Sequence, residues 1–289
     1  MLISRGCPFQ CTFCSSPQMW TTKWQARDPD CVIEEMQFYI DKYKITNFDF
    51  YDLTAIVRKD WIIKFCQKII KKNWNITWQM PSGTRSEALD DETLDLMMLS
   101  GQKHISYAPE SASKTTLQKI KKKIKVENMK KSIRSALSKG MSVKLNLMLG
   151  FPDETHKEML ETLKFVMEAS FMGVSDVYLA SFAPYPGSEL FDQMYENGQI
   201  PKLDDKYFLN LTSYTDLLHS YSYSRHVGHH MLSVYRIGGM SMFYIFNFVL
   251  RPNRIFRLFK NVMKGKEESK FENSILQLLG RFKQSKKPR

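Results

Sequence analysis

The sequence has 289 residues, 43% of them hydrophobic and 25% charged, which is the composition of an ordinary globular protein. A mean hydropathy of −0.37 and the lack of an 18-residue apolar run exclude an ordinary membrane-spanning helix, and the five cysteines do not form a secreted disulfide framework. The net charge of +12 is uneven: residues 251–289 hold twelve Lys and Arg against three Glu, so they carry +9 and the first 250 residues carry +3.

The first two-thirds of the chain alternates short β-rich runs with amphipathic helical stretches. Strands are predicted at Met1–Ser4, Thr46–Asp52, Ile76–Met80, His104–Ala108, Ser142–Leu149 and Val174–Ala183. Helices are predicted at Pro29–Tyr43, Lys59–Lys72, Asp91–Leu99, Val126–Lys139 and His156–Phe171. Six such units predict an α/β fold with a parallel sheet, and eight would close a full barrel. We therefore expect a partial (β/α)6 TIM-like barrel that is open on one side.

The residues with chemical character fall just after the predicted strands. They are Cys7–Cys14, Asp52, Gly83–Arg85, Glu110–Ser111, Gly150–Thr155 and Pro184–Ser188. Active sites of such barrels lie at the carboxyl ends of the strands, so this edge is the predicted site.

The pattern changes near residue 200. Beyond it no strand–helix alternation is found, and the apolar stretch 231–250 is interrupted by Arg236. We predict a barrel over residues 1–200 and an all-helical basic C-terminal extension over residues 201–289.

Three cysteines, Cys7, Cys11 and Cys14, lie within eight residues. Such a thiolate loop suits soft iron or zinc. Structural zinc needs four ligands, whereas a four-iron cluster held by three cysteines leaves one iron open to substrate or cofactor. A zinc knuckle completed by a distant His is the alternative. Gly6 is expected to let the backbone approach the cluster, and Cys31 and Cys66 are expected to be small buried apolar residues.

The segment Cys7-Pro8-Phe9-Gln10-Cys11-Thr12-Phe13-Cys14 resembles the C-x3-C-x-aromatic-C signature of the radical S-adenosylmethionine (SAM) superfamily. The segments 107–111, 150–155 and 184–188 are similar to motifs of the branch that contains the anaerobic magnesium-protoporphyrin ester cyclase, cobalamin-dependent methylases and methylthiotransferases. The resemblance runs from about residue 3 to residue 198.

The resemblance implies that Cys7, Cys11 and Cys14 ligate a [4Fe–4S] cluster whose open iron chelates the amino and carboxylate groups of SAM. It implies reductive cleavage of SAM to a 5′-deoxyadenosyl radical, which abstracts hydrogen from an unactivated carbon. Methylation or cyclisation of a hydrophobic small molecule would follow. No residue is assigned a catalytic role toward the substrate.

The resemblance also implies a set of cofactor-binding residues: Phe13, Asp52, Arg85, Glu110, Ser111 and Gly150. Phe13 would lie near the adenine and Glu110 would meet SAM. Asp52 stands where relatives carry an acidic pair, with Leu53 in place of the second acid, so a plain turn aspartate is the alternative. Arg85 would meet a carboxylate or pair with Glu87.

The strand before Gly150 carries leucines that the resemblance places against the adenine, namely Leu145, Leu147 and Leu149. We interpret Gly150 as a position of close backbone approach. Glu154 has only an indirect role there, in the electrostatics of a helix start, and Thr155 with Glu158 forms a capping box.

Two basic segments remain. The run Lys119–Lys125 is interpreted as a solvated helix face. Further on, apolar residues at helical spacing are opposed by basic ones; the apolar set is Ile255, Phe256, Leu258, Phe259, Val262 and Met263, and the basic set is Arg254, Arg257, Lys260 and Lys264. Such a helix packs on the barrel, which has apolar surface to cover, or lies in a membrane interface.

The resemblance suggests further partners and leaves alternatives. Relatives often carry a cobalamin-binding domain before the barrel, so this chain is a truncated piece, works with a separate cobalamin polypeptide, or works without one. A flavodoxin or ferredoxin would supply electrons. A cytoplasmic location, peripheral to the membrane if the basic helix docks there, is expected. The alternatives are a methylthiotransferase-like RNA-modifying enzyme and a non-catalytic iron–sulfur or zinc scaffold whose basic tail binds RNA.

Overall fold

The computed structural model describes residues 1–265 except 55, 86–88, 201 and 213–220, together with residues 272, 275 and 276. The strands are β1 (Ser4–Arg5), β2 (Gln25–Ala26), β3 (Asn47–Asp49), β4 (Thr77–Gln79), β5 (His104–Glu110), β6 (Ser142–Leu149) and β7 (Asp176–Ser181). The helices are α1 (Ser16–Trp20), α2 (Pro29–Tyr43), α3 (Lys59–Lys72), α4 (Asp91–Leu99), α5 (Lys114–Lys119), α6 (Val126–Ser138), α7 (His156–Met172), α8 (Glu189–Glu196), α9 (Asp205–Leu211), α10 (His229–Leu250) and α11 (Asn253–Met263).

The main strands pair in parallel, as the alternation of strands and helices in the sequence predicts. Strand β3 pairs in parallel with β4, and β5, β6 and β7 form a parallel ladder. A parallel bridge between Thr84 and Tyr107 connects β4 to β5, and the amide of Tyr51 donates to Met1 O (3.1 Å) beside β1. These connections place the strands in the order β1-β3-β4-β5-β6-β7, so the partial barrel is confirmed. Strand β2, which pairs antiparallel with β1, was not predicted.

The sheet is buried on both faces. On the outer face, residues such as Val143, Leu145 and Val177 belong to a large core shared with the helices. On the inner face, Met148, Tyr178 and the adjoining Phe182 belong to a separate aromatic-rich core. Burial of both faces is why these strands appear in the sequence as continuous apolar runs.

Helix α10 covers the open edge of the sheet. Arg236, fully buried, donates from Nε to Leu179 O of β7 (2.9 Å), and Asn247 Nδ2 donates to Val174 O (2.8 Å). Gly239 brings α10 close to the barrel, since a Cβ there would lie 2.5 Å from Leu163 Cδ2. Arg236, which interrupts the apolar stretch, therefore donates a hydrogen bond to the edge strand β7, whose outward carbonyls have no neighbouring strand to pair with.

Past residue 200 the described part of the chain contains helices and no strand, as predicted for the extension. Because α10 contributes Met240, Phe243 and Tyr244 to the outer core, part of the extension is packed into the barrel. Within the described residues no helix combines the length and the apolarity needed to span a bilayer.

Candidate active site

The three cysteines lie on an excursion of the chain, residues 6–24, whose neck is closed by the pairing of β1 with β2. Gly6 has φ +77°, and a Cβ there would lie 2.2 Å from Lys23 O. The close approach that Gly6 permits in this structure is therefore to Lys23, where the loop returns toward β2, and its expected approach to the cluster stays a prediction. The neck was missed because β2 is only two residues long.

The cysteine loop is docked on the carboxyl end of the sheet by backbone hydrogen bonds. Thr12 N donates to Ile120 O (3.1 Å), and Thr12 O accepts from Leu190 N (2.8 Å) at the start of α8. Next to it, the Phe13 ring meets Phe151 edge-on at 5.8 Å between centroids. Since Phe151 follows β6, these contacts bring the loop to the edge of the sheet where the site was predicted.

The thiols differ in burial and in neighbours. Cys11 is buried, and Cys7 and Cys14 are half-buried with their sulfurs 3.2 Å from Thr54 Oγ1 and 3.1 Å from Ser16 Oγ. Burial raises the pKa of the Cys11 thiol, and the charge of Lys122 acts in the opposite direction. In the described part of the chain no three Cys, His, Asp or Glu side chains are arranged as around a metal ion.

The donor set nevertheless fits an iron–sulfur cluster in its chemistry. Three reduced cysteines share one loop, and two cations, Lys122 and Arg85, act electrostatically on the buried one. Thiolate-ligated clusters are anionic, and neighbouring cations favour them. The other two cysteines lie elsewhere: Cys66 is buried in α3, with its pKa raised to about 12 by burial, whereas Cys31 is exposed on α2, which corrects the expectation that both are buried.

A buried ion pair lies beside the cysteine loop. Strand β5 loses its regular register between Tyr107 and Glu110, because Pro109 has no N–H to donate to the ladder. Glu110 consequently adopts φ +64°, and its carboxylate lies 3.0 Å from the Lys122 ammonium. The side chains are 13% and 9% exposed. The prediction of a solvated face for Lys119–Lys125 is thus wrong at Lys122.

Lys122 was missed because its sequence neighbours are charged and exposed, and nothing local marks one lysine of the run as buried. Its nitrogen also lies 6.0 Å from the centre of the Phe13 ring. The pair therefore brings one carboxylate and one ammonium against the aromatic residue of the cysteine loop. Lys121, next to it, pairs with the exposed Glu189 instead.

Arg85 stacks on the loop. Its guanidinium carbon lies 3.6 Å from the centre of the Phe9 ring, and Nη2 donates to Lys123 O (2.6 Å). The alternative partner, Glu87, lies outside the described residues. Arg85 thus connects the cysteine loop to the segment that carries Lys122.

Asp52 is fully enclosed by the segment that leads into the cysteine loop. Its carboxylate accepts from Ile3 N (3.0 Å), from Ser4 Oγ (2.7 Å) and from Ser4 N. Two residues later, Thr54 meets the Cys7 sulfur. These long-range contacts differ from those of a plain turn aspartate: they give Asp52 a structural role, in which it fixes β1 and so the start of the loop.

Ser111 and Gly150 contact helices rather than the loop. Ser111 Oγ lies 3.0 Å from Thr162 Oγ1 of α7. Gly150 has φ +91°, and a Cβ there would lie 3.0 Å from Leu232 of α10. The close backbone approach predicted for Gly150 is therefore toward α10.

Glu154 is a buried carboxylate at the same edge. It accepts from Gly150 N (2.7 Å) and Phe151 N (3.3 Å), and burial raises its pKa to about 8. The capping box of Thr155 and Glu158 is present at the start of α7. Glu154 thus holds the turn that positions Phe151.

Met148 of β6 is on the face toward the site, where it packs in the inner core with Phe13 and Phe151. The leucines predicted to line the adenine lie on the other face: Leu145 and Leu147 in the outer core, and Leu149 against Leu232. The face was wrongly assigned because a strand buried on both sides has no polar alternation to distinguish them.

An aromatic wall extends from the loop along the inner face. Phe151 meets Phe182 at 5.2 Å, and Phe182 meets Tyr223 at 6.2 Å. Tyr178 lies in the same core, and burial raises its pKa and that of Tyr223. Phe151 belongs to the 150–155 motif, but Tyr178, Phe182 and Tyr223 lie in no motif, and their place in the wall was not predicted.

Comparisons with known proteins agree with this geometry. Residues 1–166 match the model of the radical SAM superfamily. The chain is 25% identical over 197 residues to the anaerobic magnesium-protoporphyrin IX monomethyl ester cyclase of Rubrivivax gelatinosus, covering 68% of this chain and 35% of that protein. It is 30% identical over 211 residues to the cytidylyl-2-hydroxyethylphosphonate methyltransferase of Streptomyces wedmorensis, covering 71% and 39%.

A solved structure shares the fold. The radical SAM methyltransferase TsrM of Kitasatospora setae, determined with cobalamin and a [4Fe–4S] cluster, superposes with a TM-score of 0.60 at 14% identity, over 71% of this chain and 40% of TsrM. The chain therefore spans well under half the length of these proteins. The family match covers more than half of the chain, so the chain belongs to the radical SAM superfamily, whose enzymes use a [4Fe–4S] cluster and SAM.

Proposed function

We propose that this chain is the catalytic barrel of a radical SAM enzyme that methylates or cyclises a hydrophobic small molecule. The observation that carries the proposal is the buried Glu110–Lys122 pair beside the three-cysteine loop, at the carboxyl edge of the sheet. When bound, the cluster and SAM supply a 5′-deoxyadenosyl radical that abstracts hydrogen from an unactivated carbon. The rest of the site follows from this chain's own residues.

Cys7, Cys11 and Cys14 hold the cluster in this proposal. The amino-acid end of SAM carries an amino group and a carboxylate, and the Glu110–Lys122 pair offers an acceptor and a cationic donor in one largely buried place. With SAM bound, Glu110 would accept a hydrogen bond from the amino N–H, and Lys122 would donate to the carboxylate. The two side chains would remain paired with each other, so neither buried charge would lose its partner.

The neighbouring residues position the loop and exclude water. Arg85 stacked on Phe9, and the two backbone bonds of Thr12, fix the loop against the sheet. Phe13, with Met148 and Phe151 behind it, offers an apolar surface for the adenine. The aromatic residues that enclose the site limit the access of water. Such exclusion of water protects a reactive intermediate.

The aromatic wall of Phe151, Phe182 and Tyr223 supports a hydrophobic substrate. The names of the relatives above, a cyclase and a methyltransferase, support the two reaction outcomes. Cobalamin, bound in TsrM, would come from a part of the protein outside this chain or from a separate domain. A flavodoxin or ferredoxin is the proposed electron donor.

Anaerobic reconstitution tests the proposal. About four irons and four sulfides per chain, with release of 5′-deoxyadenosine from SAM after reduction, support it. Cys11→Ala should abolish both, whereas Cys31→Ala, at the exposed cysteine of α2, should preserve both. One zinc per chain with no iron and no SAM cleavage contradicts the proposal and selects the scaffold alternative.

A further inference from the structure

Helix α11 turns its apolar side toward solvent, whereas an amphipathic helix packed on a protein core turns that side inward. Phe256, Phe259 and Met263 are 75%, 63% and 87% exposed. The expectation that the apolar face packs on the barrel is therefore wrong for these three residues. Ile255, Leu258 and Val262, at the sides, are half-buried.

The side of α11 that faces the body is polar. Arg254 donates to Gly173 O (2.8 Å) and to Val174 O (2.9 Å), and Asn261 is buried against Glu272. At 100° per residue, Arg254 and Asn261 lie roughly 180° from the centre of the exposed apolar stripe. Arg254, which the sequence places opposite the apolar residues, satisfies carbonyls beyond the end of α7.

Arg251 completes this attachment. It donates to Ser170 O (3.1 Å) and Phe171 O (3.0 Å), so two arginines hold the junction of α10 and α11 on the last turn of α7. Burial lowers the pKa of Arg254 to about 10, which leaves it charged at neutral pH. The direction of the apolar stripe is thus fixed by contacts with the body of the protein.

A basic strip lies between the buried side and the apolar stripe. It consists of Arg257, Lys260 and Lys264, all exposed. An aromatic stripe flanked by cations is complementary to the boundary of an anionic bilayer, where rings enter the acyl region and cations meet phosphate. In a two-fold dimer formed through this face with the two α11 helices antiparallel, the basic strips of the two copies would lie side by side and repel each other.

We propose that α11 is an interfacial helix that docks the protein on anionic lipid bilayers. Gly173 and Val174 precede β7, so α11 lies at the amino end of the sheet, whereas the cysteine loop lies at the carboxyl end. The bilayer therefore contacts the end of the barrel opposite the site, and the site stays open to substrate and partners from the aqueous side.

Vesicle sedimentation of the full chain tests the proposal. The wild type should pellet with phosphatidylcholine vesicles that contain about a third phosphatidylglycerol, and far less with phosphatidylcholine alone. Changing Arg257, Lys260 and Lys264 to Glu should weaken binding by at least about 100-fold, because loss of each cation near the surface costs about fivefold and each Glu adds repulsion. Changing Phe256, Phe259 and Met263 to Ser should weaken it by at least about tenfold.

Matched controls separate the surface from general effects. Lys114, Lys157 and Lys206 are exposed at the starts of α5, α7 and α9, on the carboxyl side of the barrel, and changing them to Glu gives the same net charge and should preserve binding. Leu160→Ser with Leu209→Ser, at 52% and 67% exposed sites on α7 and α9, should also preserve it. Cys11→Ala should bind vesicles like the wild type, so a failed radical SAM assignment leaves this test intact.

Three results would overturn the proposal. One is equal pelleting with anionic and zwitterionic vesicles. Another is wild-type binding by the folded α11 serine variant, with folding checked by circular dichroism. The third combines two observations: the wild type does not bind vesicles, and the α11 serine variant has a different oligomeric state by light scattering. That combination would assign the face to a second copy or a protein partner.

Discussion

The two ends of the sheet use the same residue types in opposite ways. At the carboxyl end, Lys122 and Phe13 are turned into the protein, and the ammonium is paired with Glu110. At the amino end, Phe256 and Lys260 of α11 are turned outward. In the sequence both ends contribute a basic run, so burial rather than charge composition separates a cofactor site from a surface. This difference predicts that the carboxyl end tolerates little change and that the outer face of α11 tolerates much.

The largest effect is expected at the neck of the cysteine loop. Gly6→Ala places a Cβ 2.2 Å from the Lys23 carbonyl, a backbone atom that no side-chain rotation can move away. We expect the conformation of the loop to be destabilised by more than about 4 kcal/mol, and no iron to be retained after reconstitution. Gly198→Ala is the control, because Gly198 has φ +70° with no atom within 4 Å. Full iron loading of the Gly6 variant would show that the neck does not shape the site.

The next effect concerns the buried ion pair. Lys122→Met leaves the Glu110 carboxylate without its cation, and we expect a loss of about 3 kcal/mol of unfolding free energy and a SAM Kd raised more than tenfold. Urea unfolding and SAM titration measure the two quantities.

The double variant Glu110→Gln with Lys122→Met should be more stable than Lys122→Met, because no charge is then left unpaired, yet it should still bind SAM weakly. Lys121→Met, which breaks an exposed pair with Glu189, should cost less than about 1 kcal/mol. Equal effects at Lys121 and Lys122 would contradict the distinction between a buried and a solvated lysine.

The third effect sharpens the comparison within α11 itself. Arg254→Met removes donors to Gly173 O and Val174 O, and we expect a cost of about 2 kcal/mol. Lys260→Met, on the exposed strip of the same helix, should change stability by less than about 0.5 kcal/mol. If the urea midpoints of the two variants coincide, α11 is not held by its arginine.

The fold could be predicted from the sequence because each strand–helix unit carries its own local pattern. Helices α3 and α4 and strand β6 begin and end where the periodicity places them. Strand β2 could not be found, since two residues carry no period. The hydrogen bond from Arg236 to β7 could not be predicted either, because a charged residue in an apolar helix does not indicate which carbonyl it will contact.

The site was predictable only where residues are neighbours in sequence. The cysteine spacing and Glu110 are local motifs after strands, and the structure brings them to one edge of the sheet. Lys122, Met148 and the Phe182–Tyr223 wall depend on which face a strand or loop turns inward. That choice is made by long-range packing and leaves no local signal when both faces are buried.

The smallest expected effect is on the pH dependence of stability, in which two glutamates four residues apart, Glu154 and Glu158, should act in opposite directions. Burial raises the pKa of Glu154 to about 8, whereas at Glu158 burial is outweighed by hydrogen bonds from Thr155, which lower its pKa. The folded protein therefore holds the Glu154 proton more tightly than the unfolded chain does, and the stability from this group falls as pH rises from about 4.5 to 8. Glu158 has the opposite sign: its contribution is present above its unfolded pKa and is lost as pH falls.

Glu154→Gln should thus cost less than about 1 kcal/mol at pH 7 and flatten the decline of the unfolding midpoint between pH 5 and about 8. The amide still accepts from Gly150 N and carries no buried charge at any pH. Glu158→Gln is the matched control, and it should flatten the acid side of the profile instead. Thermal unfolding from pH 4 to 9 measures both profiles, and a Glu154→Gln profile parallel to that of the wild type would show that folding does not raise the pKa of Glu154.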